Sequence, residues 1–304
     1  MANEIITTLY EGHYDYGVAS LANSLASSGF SGLLLVGYRG SLPFWLNQTK
    51  KLDDLNYMLN EHIRITFVKV ESALHFGYYK PEFLKEALNR YPDCTGVYYF
   101  DPDIVVNAPW YFYTGWIGLG VSLCLDNAFP FVHPNHPWRA EWRELAGINA
   151  GEKSNLSHYV NSGFIGLSRK DALILDKWID LTKAYQLRGG DVSQFEKDGH
   201  RSFKGDQDLL NAALTVTPEI ELSIIGTEGM GFTLPAYLMT HAVYDVKPWR
   251  KNFLKTLLVR GHKPNIGDMD FLRYCQHPIS LFSNTQMRLK KLNYKMASIL
   301  SRLL

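Results

Sequence analysis

Three pairs of aspartates separated by one residue stand in this chain of 304: Asp101/Asp103, Asp206/Asp208 and Asp268/Asp270. Average composition gives roughly one such pair by chance in this length. The first pair is set apart by its context, G-V-Y-Y-F-D-P-D-I-V-V-N-A-P from Gly96 to Pro109. Val97, Tyr98, Tyr99 and Phe100 form a β-branched and aromatic run between turn formers, which predicts a buried strand. Residues two apart in extended chain point to one side, so Asp101 and Asp103 present their carboxylates together. Pro102 holds Asp101 extended and withholds a ladder donor, as suits a strand opening into a loop. Adjacent carboxylates repel unless a positive group lies between them, and a hard divalent cation meets that need.

Two further stretches offer matching chemistry. In H-A-V-Y-D-V-K-P-W, from His241 to Trp249, an imidazole follows an apolar segment and a lysine comes six residues later. Two carboxylates and an imidazole form a mixed oxygen and nitrogen donor set that suits Mn²⁺ better than Mg²⁺ or Ca²⁺. Lys247 can neutralise a phosphate that the same metal holds. In G-D-Q-D-L-L-N, from Gly205 to Asn211, Asp206 reads as a helix N-cap with more acid in the first turn, which the helix dipole favours. Gln207 then sits at the helix mouth, able to give and accept hydrogen bonds with a sugar hydroxyl.

These groups need a scaffold. Strands are predicted at residues 5–10, 33–37, 63–70 and 97–100, and helices at 18–27, 52–59 and 80–89, with Pro81 in the first turn of the last. The alternation of strand and helix indicates an α/β fold, a mostly parallel sheet with helices on its faces. Ligands in such sheets lie beyond the carboxyl ends of the strands, where Tyr10 to His13 and Asp101 to Asp103 fall. Further on, strands are expected at 121–125, 161–167, 220–225 and 234–240, and helices at 172–185 and from Asp206 to Leu214. Residues 129–142, rich in Pro, His and Trp, read as an irregular pocket wall, and 189–205 as a polar loop.

Composition narrows the classes. Lys plus Arg number 31 against 30 for Asp plus Glu, so no basic field argues for nucleic acid. Cys94, Cys124 and Cys275 are odd in number and widely spaced, which speaks against a disulfide framework or a structural zinc site. The start lacks the pattern of a secretory signal, and the longest apolar run, residues 117–125, is too short to span a bilayer. The expectation is a cytoplasmic protein.

Four segments in order make the chain resemble a GT-A-fold glycosyltransferase of the glycosyltransferase family 8 type, the bacterial lipopolysaccharide galactosyl- and glucosyltransferases and glycogenin. They are Tyr78-Tyr79-Lys80 leading to V-Y-Y-F-D-P-D, N-S-G-F-I-G-L from Asn161, D-Q-D-L-L-N from Asp206, and H-x-x-x-x-x-K-P-W from His241. The chain departs from the family's usual Arg, Ala and Gly at Lys80, Ser162 and Tyr244. The resemblance implies a Rossmann-like nucleotide-sugar-binding domain over residues 1–279. It also implies Mn²⁺ (or Mg²⁺) on Asp101, Asp103 and His241, holding the diphosphate of a UDP-sugar. Lys247 would contact the phosphates and Lys80 the phosphate or sugar, while Tyr10, His13 and Tyr14 lie near uracil and ribose. Asp126, Asn161 and Asp206 would bind hydroxyls of the transferred sugar, with Gln207 beneath its anomeric carbon. An amide there is a poor covalent nucleophile, which favours transfer of galactose or glucose with retention. An inverting GT-A enzyme using Asp126 or Asp208 as base, and a non-catalytic nucleotide-sugar or glycan-binding protein, are the competing readings.

Residues 286–304 predict an amphipathic helix. Leu289, Leu292, Met296, Ile299, Leu300 and Leu303 share a stripe, basic residues flank it, and no acid occurs from Ser280 onward. The stripe either packs on the domain or another subunit, or docks on an anionic membrane surface where a lipid-linked acceptor is found.

Overall fold

The structure is a computed structural model and describes residues 4–148, 155–195 and 202–303. Residues 196–201 of the expected polar loop and the last residue of the expected C-terminal helix lie outside the described residues. The elements run β1 (Glu4–Glu11), α1 (Asp15–Ser28), β2 (Gly32–Arg39), β3 (Lys50–Lys51), β4 (Asn56–Met58), β5 (Ile63–Lys69), α2 (Phe76–Arg90), β6 (Gly96–Phe100) and β7 (Ile104–Val106). Then follow α3 (Trp110–Trp116), β8 (Val121–Cys124), α4 (Pro137–Leu145), β9 (Phe164–Ser168), α5 (Leu173–Leu187), α6 (Asp206–Val216), β10 (Leu222–Ile225) and β11 (Met239–His241). Three helices close the chain: α7 (Phe253–Arg260), α8 (Ile266–Arg273) and α9 (Asn284–Leu300).

Nine strands form one sheet in the order β10-β8-β9-β6-β1-β2-β5-β4-β3, and β7 with β11 forms a separate antiparallel ribbon. All strands of the large sheet run one way except β9 and β4. The expected mostly parallel α/β sheet is therefore what the chain builds. Side chains alternate along each strand. Ile6, Leu34, Val36, Tyr98 and Phe100 face a core shared with α1, α3 and the C-terminal helices. Ile5, Leu9, Leu33, Leu35, Val97 and Tyr99 face the core built with α2, α4, α5 and α6.

Several local expectations are corrected. Residues 52–59 are not helical: Asp53 Oδ1 accepts the backbone N–H groups of Leu55 and Asn56, each at 2.9 Å, and the chain turns into β4. An aspartate bonding its own neighbours offers the backbone an alternative to the helix, and it wins here. Helix α2 begins before Lys80, with His75 Nδ1 accepting the Gly77 N–H at 3.1 Å as its cap, so Pro81 lies in the second turn. Within 129–142 the stretch from Pro137 is helix α4, opened by His136 and by proline at its first position. The strand expected at 161–167 starts only at Phe164, and that at 234–240 only at Met239.

Helix α9 has two apolar faces. It packs on the domain through Met287 and Ala297, with Tyr294 against Phe253 of α7 at 5.4 Å between ring centroids. Asn293 Oδ1 accepts the Phe253 N–H at 2.7 Å, and Lys290 Nζ donates to the Trp249 carbonyl at 3.1 Å. Of the stripe marked in the sequence, Leu289, Leu292, Met296, Ile299 and Leu303 are exposed, and Leu300 alone reaches the core. Among the described residues no helix is long and apolar enough to cross a membrane.

Candidate active site

The Asp-Pro-Asp turn sits at the carboxyl end of β6. Asp101 N–H donates to the Gly163 carbonyl at 2.8 Å, and Ile104 N–H closes the turn on the Asp101 carbonyl at 3.0 Å. The chain leaves as β7 and pairs with β11, placing His241 opposite Ile104; Ala242 N–H then bonds the Asp103 carbonyl at 3.0 Å. This ribbon brings together ligands that are far apart in sequence. One donor atom from each of Asp101, Asp103 and His241 lies within 4.8 Å of the others.

Each carboxylate turns one oxygen to a lysine and the other towards His241. Asp101 Oδ1 accepts from Lys80 Nζ and Tyr99 Oη, each at 3.0 Å, while its Oδ2 lies 3.7 Å from His241 Nε2. Asp103 Oδ2 accepts from Lys247 Nζ at 2.7 Å, and its Oδ1 lies 3.2 Å from the same imidazole nitrogen. Burial alone would push the Asp103 carboxyl up, but His241 and Lys247 outweigh it and hold the group well below the usual carboxylate range. Burial works against the charge on Lys80, yet Asp101 and Asp206 raise that ammonium above its ordinary value; Asp103 does the same for Lys247. Two oxygens and one imidazole nitrogen facing a common point, half-buried and backed by lysines, fit a divalent cation of the Mn²⁺ type.

Two glycines make the close packing possible. A Cβ at Gly163 would lie 2.6 Å from His241 Cε1, so the ring seats itself only because position 163 has no side chain. A Cβ at Gly17 would overlap the Pro102 carbonyl oxygen, so α1 reaches the turn only through glycine.

The other residues named from the sequence stand at different distances from this turn. Lys80 Nζ pairs with Asp206 Oδ2 at 2.9 Å and donates to the Ser162 carbonyl at 3.1 Å. Gln207 Oε1 accepts the Ser162 N–H at 3.3 Å, so the first turn of α6 docks on the Asn161–Gly163 turn. Asn161 Nδ2 donates to Asp126 Oδ2 at 3.1 Å, while Asp126 Oδ1 accepts from the Ala128 and Phe129 backbones. Tyr10 is buried with its hydroxyl donating to the Ser41 carbonyl at 3.0 Å. The Tyr14 ring lies 5.8 Å from Lys247 Nζ and edge-on to Trp249. His13 is exposed at the margin, 3.4 Å from Arg250, where burial first and then Arg250 and Lys247 lower its pKa.

Tyr10, Tyr14, Lys80, Asp101 and Asp103 line a cleft of about 210 Å³. A larger cavity of about 700 Å³ lies at the opposite, amino ends of β1 and β2, away from all these groups. The cleft has walls that the sequence did not single out. His75 and Phe195 meet at a tilt, 4.1 Å between ring centroids, and line one side of it. His75 was open to discovery as the residue capping the helix of Lys80. Phe195 stands in a polar loop and carries no signal.

Asp208 departs from its neighbours. It is buried, accepting Tyr159 Oη at 2.7 Å and the Lys204 N–H at 2.6 Å. Burial, opposed by those bonds and aided by Asp206, pushes its carboxyl up to about 6.

No family model matches the chain, and no curated protein is similar to it in sequence. Its shape does find relatives among solved structures. The galactosyltransferase LgtC, solved in complex with donor and acceptor sugar analogues, superposes with a TM-score of 0.50 at 16% identity, covering 94% of this chain and 99% of that one. An active-site mutant of LgtC gives 0.52 at 16% identity with the same coverage. The bifunctional glycosyltransferase WbbM gives 0.56 at 14% identity, covering 94% of this chain and 51% of that one. The chain has the fold of the GT-A glycosyltransferases.

Proposed function

We propose that the protein is a metal-dependent hexosyltransferase that moves galactose or glucose from a UDP-sugar to a glycan or lipid-linked acceptor with retention of configuration. The observation that carries this reading is the meeting of Asp101, Asp103 and His241 beside two lysines at the mouth of a GT-A cleft. A divalent cation held there, Mn²⁺ or Mg²⁺, would supply positive charge to the diphosphate as a Lewis acid.

The chain's own residues do the rest. Breaking the bond between anomeric carbon and phosphate oxygen leaves negative charge on the diphosphate and positive charge on the sugar. The Lys247 ammonium stabilises the first and is already poised beside Asp103. Lys80 has its donors engaged on Asp101, Asp206 and the Ser162 carbonyl, so it joins a carboxylate on the metal side to one on the sugar side. Asp126, Asn161 and Asp206 hold the sugar's hydroxyls, and Tyr10, His13 and Tyr14 border uracil and ribose. Gln207 lies beneath the anomeric carbon, where its neutral amide stabilises charge without forming a covalent bond. The acceptor oxygen makes the new bond and its proton passes to the departing phosphate oxygen.

The C-terminal helix supports a peripheral position on the inner face of a membrane, with 280–304 a docking element of the 1–279 catalytic domain. Exposed Leu289, Leu292, Met296 and Ile299 form an apolar band flanked by exposed Arg288, Lys291, Lys295 and Arg302. Apolar insertion and attraction to anionic headgroups then act together.

The test is UDP release from UDP-galactose and UDP-glucose with Mn²⁺, with chelator, and with lipid-linked or free glycan acceptors, followed by NMR of the product linkage. Turnover equal with and without chelator would remove the metal from the reading, and an inverted linkage would remove retention.

A further inference from the structure

The third aspartate pair, Asp268 and Asp270, lies in neither the cleft nor a loop. Both residues are on α8, 2% and 4% exposed. Asp270 Oδ2 accepts the Thr240 hydroxyl and, at 3.0 Å, Asn107 Nδ2, which also lies 2.8 Å from Thr240 Oγ1. Thr240 immediately precedes His241, and Asn107 immediately follows β7, whose first residue follows Asp103. Asp270 thus ties the two strands of the ribbon that carries Asp103 and His241. Asp268 Oδ2 accepts Lys251 Nζ at 2.6 Å in a buried ion pair and the Asn265 N–H at 3.1 Å in a capping box. Lys251 stands four residues beyond Lys247.

We infer that α8 is a clamp for the loop from His241 to Lys247, with Asp270 gripping the residue before it and Asp268 the residue four beyond it. Both aspartates are positioning residues: they touch no cleft group and act through Thr240 and Lys251. Between its two ends the loop is open to solvent. Val243 and Tyr244 are 47% and 51% exposed, while Ala242 has its N–H on the Asp103 carbonyl and its own carbonyl on Lys247 Nζ. A segment so exposed between two buried anchors, one a carboxylate–hydroxyl bond and one an ion pair, takes its geometry from the anchors. Groups behind a metal ligand that fix its orientation are worth about 10–100-fold in metal affinity. The inference rests on the metal reading above for its consequence, but not for the clamp itself.

The experiment takes the full chain as wild type, Asp270→Asn, Thr240→Val and, as control, Thr182→Val, which removes a buried hydroxyl bonded to the Trp178 carbonyl in α5. Amide hydrogen exchange of the metal-free proteins is read over residues 240–251, and Mn²⁺ affinity by electron paramagnetic resonance. Asp270→Asn and Thr240→Val should speed exchange in that segment alone and weaken Mn²⁺ about 10-fold or more, while Thr182→Val leaves both unchanged. If Asp270→Asn does not fold, Thr240→Val carries the test. Unchanged exchange in the segment overturns the clamp, and faster exchange with wild-type Mn²⁺ affinity reduces it to a structural brace. A wild type that binds no Mn²⁺ instead overturns the metal reading, and exchange alone then decides the clamp.

Discussion

Asp101/Asp103 and Asp268/Asp270 share one sequence pattern and end in opposite circumstances. The first pair lies in a turn beyond a strand, closed by the Ile104 N–H on the Asp101 carbonyl, and that turn brings one oxygen of each carboxylate towards one imidazole. The second pair lies on a helix, where residues two apart point to different sides, so one carboxylate meets Lys251 and the other Thr240. The first keeps an oxygen on each carboxylate directed at a shared point. The second has its charge buried among protein donors. Secondary structure, more than residue type, separates a ligand set from a pair of braces.

This contrast is open to attack. The largest expected effect falls on the brace: Asp268→Asn leaves Lys251 buried without its counter-charge, which costs about 3–5 kcal/mol in denaturant unfolding. Replacing both partners, Lys251→Met with Asp268→Leu, should recover most of that loss. If Asp268→Asn is as stable as wild type, the pair is no brace. At the ligand set the order reverses: Asp103→Asn should cost about 10²–10³-fold in kcat, with a smaller change in unfolding free energy. Full turnover of that variant in chelator would sink the metal site.

Asp208, one of the two acids of the remaining pair, sharpens the same point through pH. Its folded pKa of about 6 lies above the unfolded carboxylate value, so the native state binds the extra proton. Stability therefore falls as pH rises from about 4 to 6, by on the order of 2 kcal/mol from this group. Asp208→Asn should flatten urea unfolding across that window, and an unaltered pH profile would show that the buried carboxylate is not the source. The smallest effect is expected on the outer face of α9. Leu292→Glu should lower binding to anionic vesicles about 10-fold, since one buried leucine is worth about 1.5–3 kcal/mol, with Mn²⁺ affinity untouched. Equal vesicle binding by both proteins would remove the exposed stripe from the account.

Much of the site was legible because the signals are local. The strand ending in Asp-Pro-Asp, the apolar helix opened by Asp206 and the spacing of His241 and Lys247 each follow from side-chain pattern within a few residues. The misread helix at 52–59 shows where local pattern fails, since Asp53 competes for the same backbone groups through its side chain. The C-terminal stripe fails differently. Periodicity finds an apolar face but not what covers it, and here Met287, Tyr294 and Ala297 take the domain side while the longer stripe stays outside.

By itself the sequence determined the alternation of strands and helices and the set of groups able to hold a cation and a diphosphate, because both depend on residue type and short spacing. Tertiary structure decided how those groups meet. The β7–β11 ribbon sets His241 against Asp101 and Asp103, Gly163 leaves room for its ring, and Lys80 and Lys247 reach one carboxylate each. The physical reason is that a carboxylate's role follows from the charges and donors brought within about 4 Å of it, and long-range pairing of the chain supplies those.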